Sequence, residues 1–155
     1  MSKITDHVDV DVPVRVAYDQ WTQFESFPEF MEGVERVVQL DPKTLDWTAR
    51  VAGRTKHWRA EIVEQEPDQI VAWRSVDGAR NDGRVTFHAS DAMSTRITLE
   101  LDVEPDGPLE ATGDALGLVS RRVKGDLERF KEFIESRGQA TGGWRGRVEG
   151  SQVQR

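Results

Sequence analysis

The chain opens on a clean alternation. In "KITDHVDVDV", residues 3–12, Ile4, Val8, Val10 and Val12 fall on one side. Lys3, Thr5, His7, Asp9 and Asp11 fall on the other, and only Asp6 interrupts the apolar row. A period of two with one apolar face predicts a half-buried strand, ended by Pro13. Val14, Ala17, Tyr18 and Trp21 then stand at i, i+3, i+4 and i+7, the stripe of a short helix. A second short helix is predicted after it. Ser26 as N-cap with Glu29 three positions on makes a capping box, Pro28 suits a first turn, and Gly33 is the stop. Through this corner Trp21, Phe24, Phe27 and Phe30 recur at intervals of three, which is neither the strand period nor the α-helical one.

From residue 34 to 104 the pattern is strand after strand. "VERVVQL", "TLDWTARV", "RTKHWRAEIVE", "QIVAWRSV", "GRVTFHA" and "TRITLELDV" are separated by turn signals at Asp41-Pro42, Ala52-Gly53, Pro67-Asp68, Asp77 to Gly83 and Ser90 to Ser94. Connections this short imply an antiparallel meander. After "EPDGP" the steps become three and four: Leu116, Val119, Val123, Leu127, Phe130 and Ile134 line one face of a long amphipathic helix that Gly138 ends. Residues 138–155 are glycine-rich without a usable period and read as a mobile tail behind a domain of residues 1–137.

Pairing follows from the turns. A two-residue loop at Ala52-Gly53 sets Val51 opposite Arg54, Ala49 opposite Lys56 and Trp47 opposite Trp58. A tight turn at Pro67-Asp68 sets Trp73 opposite Ile62, and a loop over Asp41 to Thr44 sets Val38 opposite Trp47 and Arg36 opposite Ala49. Partners directly opposite share a face, and a one-residue bulge would undo any of these assignments. Trp47, Trp58, Trp73 and Phe87 then line the apolar face, opposite Leu116, Val119 and Val123 of the long helix. Core packing and a cavity wall both suit such residues, but each indole N–H needs an acceptor. Arg36 and Lys56 fall at one end of the same face. They either snorkel out at the sheet rim or anchor the polar end of a ligand.

Composition narrows the function. A net charge of −7 over 155 residues leaves no basic surplus for nucleic acid or for an anionic membrane surface. The chain has no cysteine, which removes disulfides, thiol nucleophiles and cysteine-based zinc sites. The first residues lack the apolar core of a signal peptide, and no run reaches a membrane span, so a cytoplasmic protein without membrane insertion is expected. His7, His57 and His88 stand singly on outward positions, so no metal site is expected. No nucleotide or other cofactor motif is legible.

The order β-α-α-β6-α resembles the helix-grip fold of Bet v 1, START lipid-transfer domains and the polyketide cyclase/dehydrase proteins. The resemblance rests on "VPVRVAYDQWTQFESFPEFMEGV", "RAEIVEQEPDQIVAWRSVDG", "GRVTFHASDAMSTRITLEL" and "ALGLVSRRVKGDLERFKEFIESR". It is strongest toward the bacterial cyclase/dehydrase and coenzyme-Q-binding branch. It implies an α+β fold in which a seven-stranded antiparallel sheet wraps a long C-terminal helix, with a cavity between them closed at one end by the two short helices. In that setting Trp21 and Phe24 anchor the corner, while Tyr18, Phe27, Phe30 and Met31 lie nearer the cavity. Alanine at Phe30 is then expected to disturb ligand binding more than folding. Three functions are open. The first is a carrier of a hydrophobic lipid, quinone or polyketide-like molecule. The second is a cyclase/dehydrase using Arg36, Lys56 or Tyr18. The third is a protein- or ribosome-interaction module. The first two need a cavity of about a few hundred cubic ångströms.

Overall fold

The computed structural model describes residues 2–51, 53–78, 80–103, 113–150 and 152–154. Ala52 of the predicted hairpin loop and the "EPDGP" segment lie outside the described residues. Strand β1 (Ser2–Val10) leads into helix α1 (Val14–Trp21), a 3₁₀ helix (Phe24–Glu29), and six strands: β2 (Val34–Asp41), β3 (Thr44–Val51), β4 (Arg54–Glu66), β5 (Ile70–Gly78), β6 (Asn81–Asp91) and β7 (Ser94–Val103). Helix α2 (Gly113–Arg137) follows, then two short strands, β8 (Arg147–Glu149) and β9 (Gln152–Gln154). The sheet order is β1-β7-β6-β5-β4-β3-β2, and every pairing is antiparallel. This is the helix-grip arrangement, with more strands than the seven expected.

The apolar rows meet as the alternation requires. Val8, Val10, Ile62, Val71, Val85, Ile97, Leu99 and Leu101 of the sheet are buried in one core with Val123, Leu127, Phe130 and Ile134 of α2. The spacing of four, three and four in that helix keeps all of its core residues on one stripe. Polar contacts fix its far end. Lys131 Nζ donates to the Asp9 carbonyl at 2.9 Å, and Glu135 accepts the Asp11 N–H at 2.7 Å. Gly138, at φ +71°, ends the helix and donates its N–H to the Ile134 carbonyl.

Three expectations change. First, the corner has no capping box. Ser26 lies inside the 3₁₀ helix, its N–H bonded to the Gln23 carbonyl, and no side chain caps that helix. A 3₁₀ helix repeats every three residues, so the intervals of three from Phe24 to Phe30 are its own period. Phe24, Phe27 and Phe30 form a ladder with ring centroids 5.4 and 5.6 Å apart. Second, the predicted turn from Asp77 to Gly83 is shorter, because β5 and β6 extend into it.

Third, the tail is not loose. Strand β4 outruns β3, whose ladder ends at Thr44–Glu61. The β4 edge beyond that point is taken by β8, with Glu64 opposite Glu149 and Gln65 opposite Val148. Val148 is fully buried. Arg145 bonds Asp19 at 2.6 Å and Asp68 at 2.7 Å, and its guanidinium stands 5.5 Å from the Tyr18 ring centre. Composition marked this segment as mobile because its anchors are single residues scattered among glycines.

Candidate functional site

The predicted hairpin β3–β4 forms in the expected register, with Val51 opposite Arg54, Ala49 opposite Lys56 and Trp47 opposite Trp58. Trp73 stands opposite Ile62. Gly83 is opposite Trp73, and a Cβ there would lie 2.9 Å from the indole. The missing side chain thus makes room for the Trp73 ring, whose Nε1 donates to Asn81 Oδ1 at 3.1 Å. These three tryptophans line a cavity of about 150 Å³ between the sheet and α2. Leu45, Ala49 and Ile62 add to the sheet side. Val119, Val123 and Leu127 form the helix side, and Phe24, Phe27 and Met31 close the corner.

Of the residues expected around a ligand, Phe27, Met31, Trp47, Trp58, Trp73, Val119 and Val123 line the cavity. The side chain of Leu116 lies outside the described residues. Phe30 is not on the wall; its ring packs on Phe130 and Phe133 of α2, at 5.1 and 5.3 Å. Phe24 and Trp21, predicted as anchors behind the wall, are part of it. The ladder of Phe24, Phe27 and Phe30 runs past the cavity to Phe130 and Phe133 of α2.

Phe87 and Tyr18 also lie off the wall. They pack edge to face at 5.4 Å, and Phe87 is 6.3 Å from Trp21. The Tyr18 hydroxyl accepts a bond from Gln65 Nε2 at 3.0 Å in a fully buried position, and burial pushes its pKa up to about 12. It remains a protonated packing residue.

The basic pair is not a pair. Register shifts in β2 set Val37, not Val38, opposite Trp47, and Arg36 opposite Thr48. The shift between Gln39 and Asp41 leaves Leu40 as the extra residue, 49 % exposed. A one-residue bulge turns every later side chain to the other face, so Arg36 is exposed on the outer side. Lys56 keeps its place opposite Ala49 but stands beyond the cavity wall.

The polar groups on the wall come instead from α2 and the turn before β2, as Arg122, Asp126 and Glu32, together with Arg50 on β3 and Asn81 on β6. Gly33, at φ +88°, gives its carbonyl to the Arg50 N–H at 2.7 Å. The Arg122 guanidinium lies against Gly33 and donates to the Arg50 carbonyl. Asp126 accepts the Glu32 N–H at 2.9 Å and a bond from Arg129, whose Nε donates to the Phe30 carbonyl at 3.0 Å. Residues 30–33 are therefore latched to α2 along one side of the cavity. Glu32 and Arg50 are exposed there, so this side is the mouth. Burial raises the Asp126 carboxyl to about 6, against the opposing pull of Arg129, the Glu32 N–H and Arg122. Asp126 and Arg122 sit on the charged stripe of an amphipathic helix, where a sequence reading expects solvent. The signal in the sequence is slight: Arg122 lies about one turn from Val119, and Asp126 about one turn from Val123.

Among the described residues no group of three acidic, histidine or cysteine side chains could hold a metal ion, and no helix is long and apolar enough to cross a membrane. His7, His57 and His88 are exposed, as alternation predicts.

A family model described as polyketide cyclase/dehydrase and lipid transport matches residues 10–132, which span the corner, strands β2 to β7 and most of α2. The chain belongs to this family. This polyketide cyclase/dehydrase family member is 54% identical over 149 residues to an uncharacterized 17.2 kDa protein of Streptomyces lincolnensis, with 96% of this chain and 99% of the relative covered. A solved structure from Deinococcus radiodurans is 28% identical with a TM-score of 0.68, covering 87% of this chain and 98% of that one. The Zhui aromatase/cyclase from Streptomyces sp. R1128 has a TM-score of 0.72 at 18% identity, covering 92% and 99%. A START superfamily protein from Mycobacterium smegmatis has a TM-score of 0.70 at 17% identity, covering 87% and 95%. At such identities the last two likenesses are of fold alone.

Proposed function

We propose that the protein binds a small apolar molecule in the cavity between the sheet and α2. The observation that carries this is the wall: a space of about 150 Å³, open at one side, bounded by tryptophan, phenylalanine and aliphatic side chains, with its charged groups Glu32, Arg50, Arg122 and Asp126 at the mouth. The volume corrects the size of ligand expected from the sequence. Ligand pockets commonly span about 300–1,000 Å³, whereas a cavity of about 150 Å³ accommodates a molecule of benzene size. The resting cavity therefore suits one ring or a short acyl chain. A lipid tail, a quinone or a polyketide chain would require residues 30–33 to swing away from α2. The net charge of −7 also favours a small molecule over nucleic acid as the partner.

The test is direct. One-ring aromatic compounds and short-chain acids are titrated against the protein by calorimetry and by the emission of the wall tryptophans. Saturable binding that Val119→Phe abolishes supports the reading. No saturation by any of these compounds at millimolar concentration refutes it.

Asp126 supports a second reading, a cyclase/dehydrase. A carboxyl poised near 6 on the cavity wall is suited to proton transfer near neutral pH. As a carboxylate it would take the proton from a carbon flanked by two carbonyls. Once protonated, it would return that proton to the hydroxyl that leaves as water. Turnover of a short poly-β-ketone with a pH profile breaking near 6, lost in Asp126→Asn, separates an enzyme from a carrier.

A further inference from the structure

The charged groups at the cavity mouth pair unevenly. Arg129, which stands off the wall, takes both carboxylates: it bonds Asp126 and lies 3.6 Å from Glu32. Arg122 and Arg50 are on the wall, and among the described residues neither side chain has an ion-pair partner. Arg122 commits one nitrogen, Nη1, to the Arg50 carbonyl. Its Nε and Nη2 have no acceptor among the described residues. Those two nitrogens form one side of the guanidinium fork, and such a side takes both oxygens of a carboxylate at once. Gly33 lets the group lie there, since a Cβ at that position would overlap Nη1. The chain has 28 acidic and 21 basic residues, so cations without counter-ions at the opening of an apolar cavity run against its overall charge.

Resting on the binding role proposed above, we propose that the ligand is a small monocarboxylate, a one-ring or short-chain acid, with its apolar body in the cavity and its carboxylate on the Nε–Nη2 side of Arg122. The body follows from the wall, whose volume of about 150 Å³ holds one ring or a short chain. The charge follows from the pairing. Arg50, Arg122 and Arg129 against Glu32 and Asp126 leave one positive charge, which a monoanion cancels and a phosphate dianion would exceed. Glu32 and Asp126 do not oppose the ligand as free charges, because Arg129 pairs with both. Arg50, exposed on the same side, adds to the positive potential there. A carboxylate at the mouth also keeps part of its hydration, whereas one carried in to the tryptophan wall would lose its water and meet no cation.

The experiment compares benzoate with benzamide and hexanoate with hexanamide, pairs that match in shape and differ in charge. Affinities are measured by calorimetry near neutral pH on the wild type, Arg122→Gln and Arg121→Gln. Arg121 precedes Arg122 on α2 and is exposed off the wall, so its replacement removes the same charge without touching the site. The wild type is expected to bind at least one acid about tenfold or more tightly than its amide, the low end for a hydrogen bond to a charged group. Arg122→Gln should lose that preference and still bind the amide, which shows that its cavity is intact. Arg121→Gln should keep the preference to within about twofold. Equal affinity for acid and amide in the wild type overturns the proposal and leaves a binding cavity in place. So does a preference that survives in Arg122→Gln, or one that falls equally in both variants. Failure of the wild type to bind any of these compounds overturns the binding role as well.

Discussion

Asp126 gives the sharpest test of the latch at the cavity mouth. Its carboxyl moves from an ordinary 3.8 to about 6 on folding, chiefly through burial. At about 1.36 kcal/mol per pH unit, that difference has an upper limit of about 3 kcal/mol. The side chain retains 15% exposure, and solvent screening reduces the effect to about 1–2 kcal/mol. The sign follows from the raised value. The folded state holds its proton more tightly than the unfolded chain, so the contribution is fully present below pH 4 and is lost as pH rises through 6. The groups facing Asp126 are Arg122, Arg129 and the Glu32 N–H. Asp126→Asn keeps an oxygen for the Glu32 N–H and removes the titration.

The assay is urea unfolding of both proteins from pH 4.5 to 7.5. Other carboxylates, such as Asp9, Asp41 and Glu100, have lowered values and lose their contribution as pH falls. They cancel in the difference between the two proteins. The wild type is expected to lose about 1–2 kcal/mol relative to Asp126→Asn between the two ends of that range. A difference independent of pH would refute the burial argument, as would an Asp126 carbon resonance titrating near 4.

Further outcomes follow from the same contacts. Phe30→Ala should destabilise the fold by about 3–5 kcal/mol, read by thermal unfolding. Phe30 lies off the cavity wall, so the affinity of the remaining folded protein for a one-ring ligand should change by less than about twofold. Val119→Phe should fill the cavity and block binding while changing stability by less than about 1–2 kcal/mol, read by calorimetry and melting together. Arg145→Ala removes the ion pairs to Asp19 and Asp68 and should speed hydrogen exchange at Val148 by about tenfold or more. An unchanged rate there would mean that β8 is held by its ladder alone.

Much of the site lay open in the sequence, and what remained hidden has a common cause. Where a strand has no bulge its face follows from alternation, because a side-chain period of two leaves one choice once a single residue is placed. The stacked pair of Trp47 and Trp58 follows from the two-residue turn before Arg54 in the same way. Arg36 failed that arithmetic because Leu40 bulges out of β2, and a bulge is a choice between two pairings of nearly equal local energy. The intervals of three from Phe24 to Phe30 were themselves the period of a 3₁₀ helix and its C-cap, while Trp21 closes α1 before it. The capping residues at Ser26 and Glu29 outweighed that signal only on paper, since local capping is worth about 1 kcal/mol and the buried aromatic ladder far more.

Local pattern alone therefore determined the element order and the aromatic character of the sheet face, since each depends on which residues share a face of one element, and the resemblance of that order to a known family supplied the helix-grip architecture. Tertiary structure decided the rest: that Arg122 and Asp126 of a charged helix stripe turn to the cavity mouth, that two indole donors stay without acceptors, and that a glycine-rich end closes on the free edge of β4. Each of these is set by the distance between elements far apart in the chain, and burial, desolvation and an unmet hydrogen bond exist only once those elements meet.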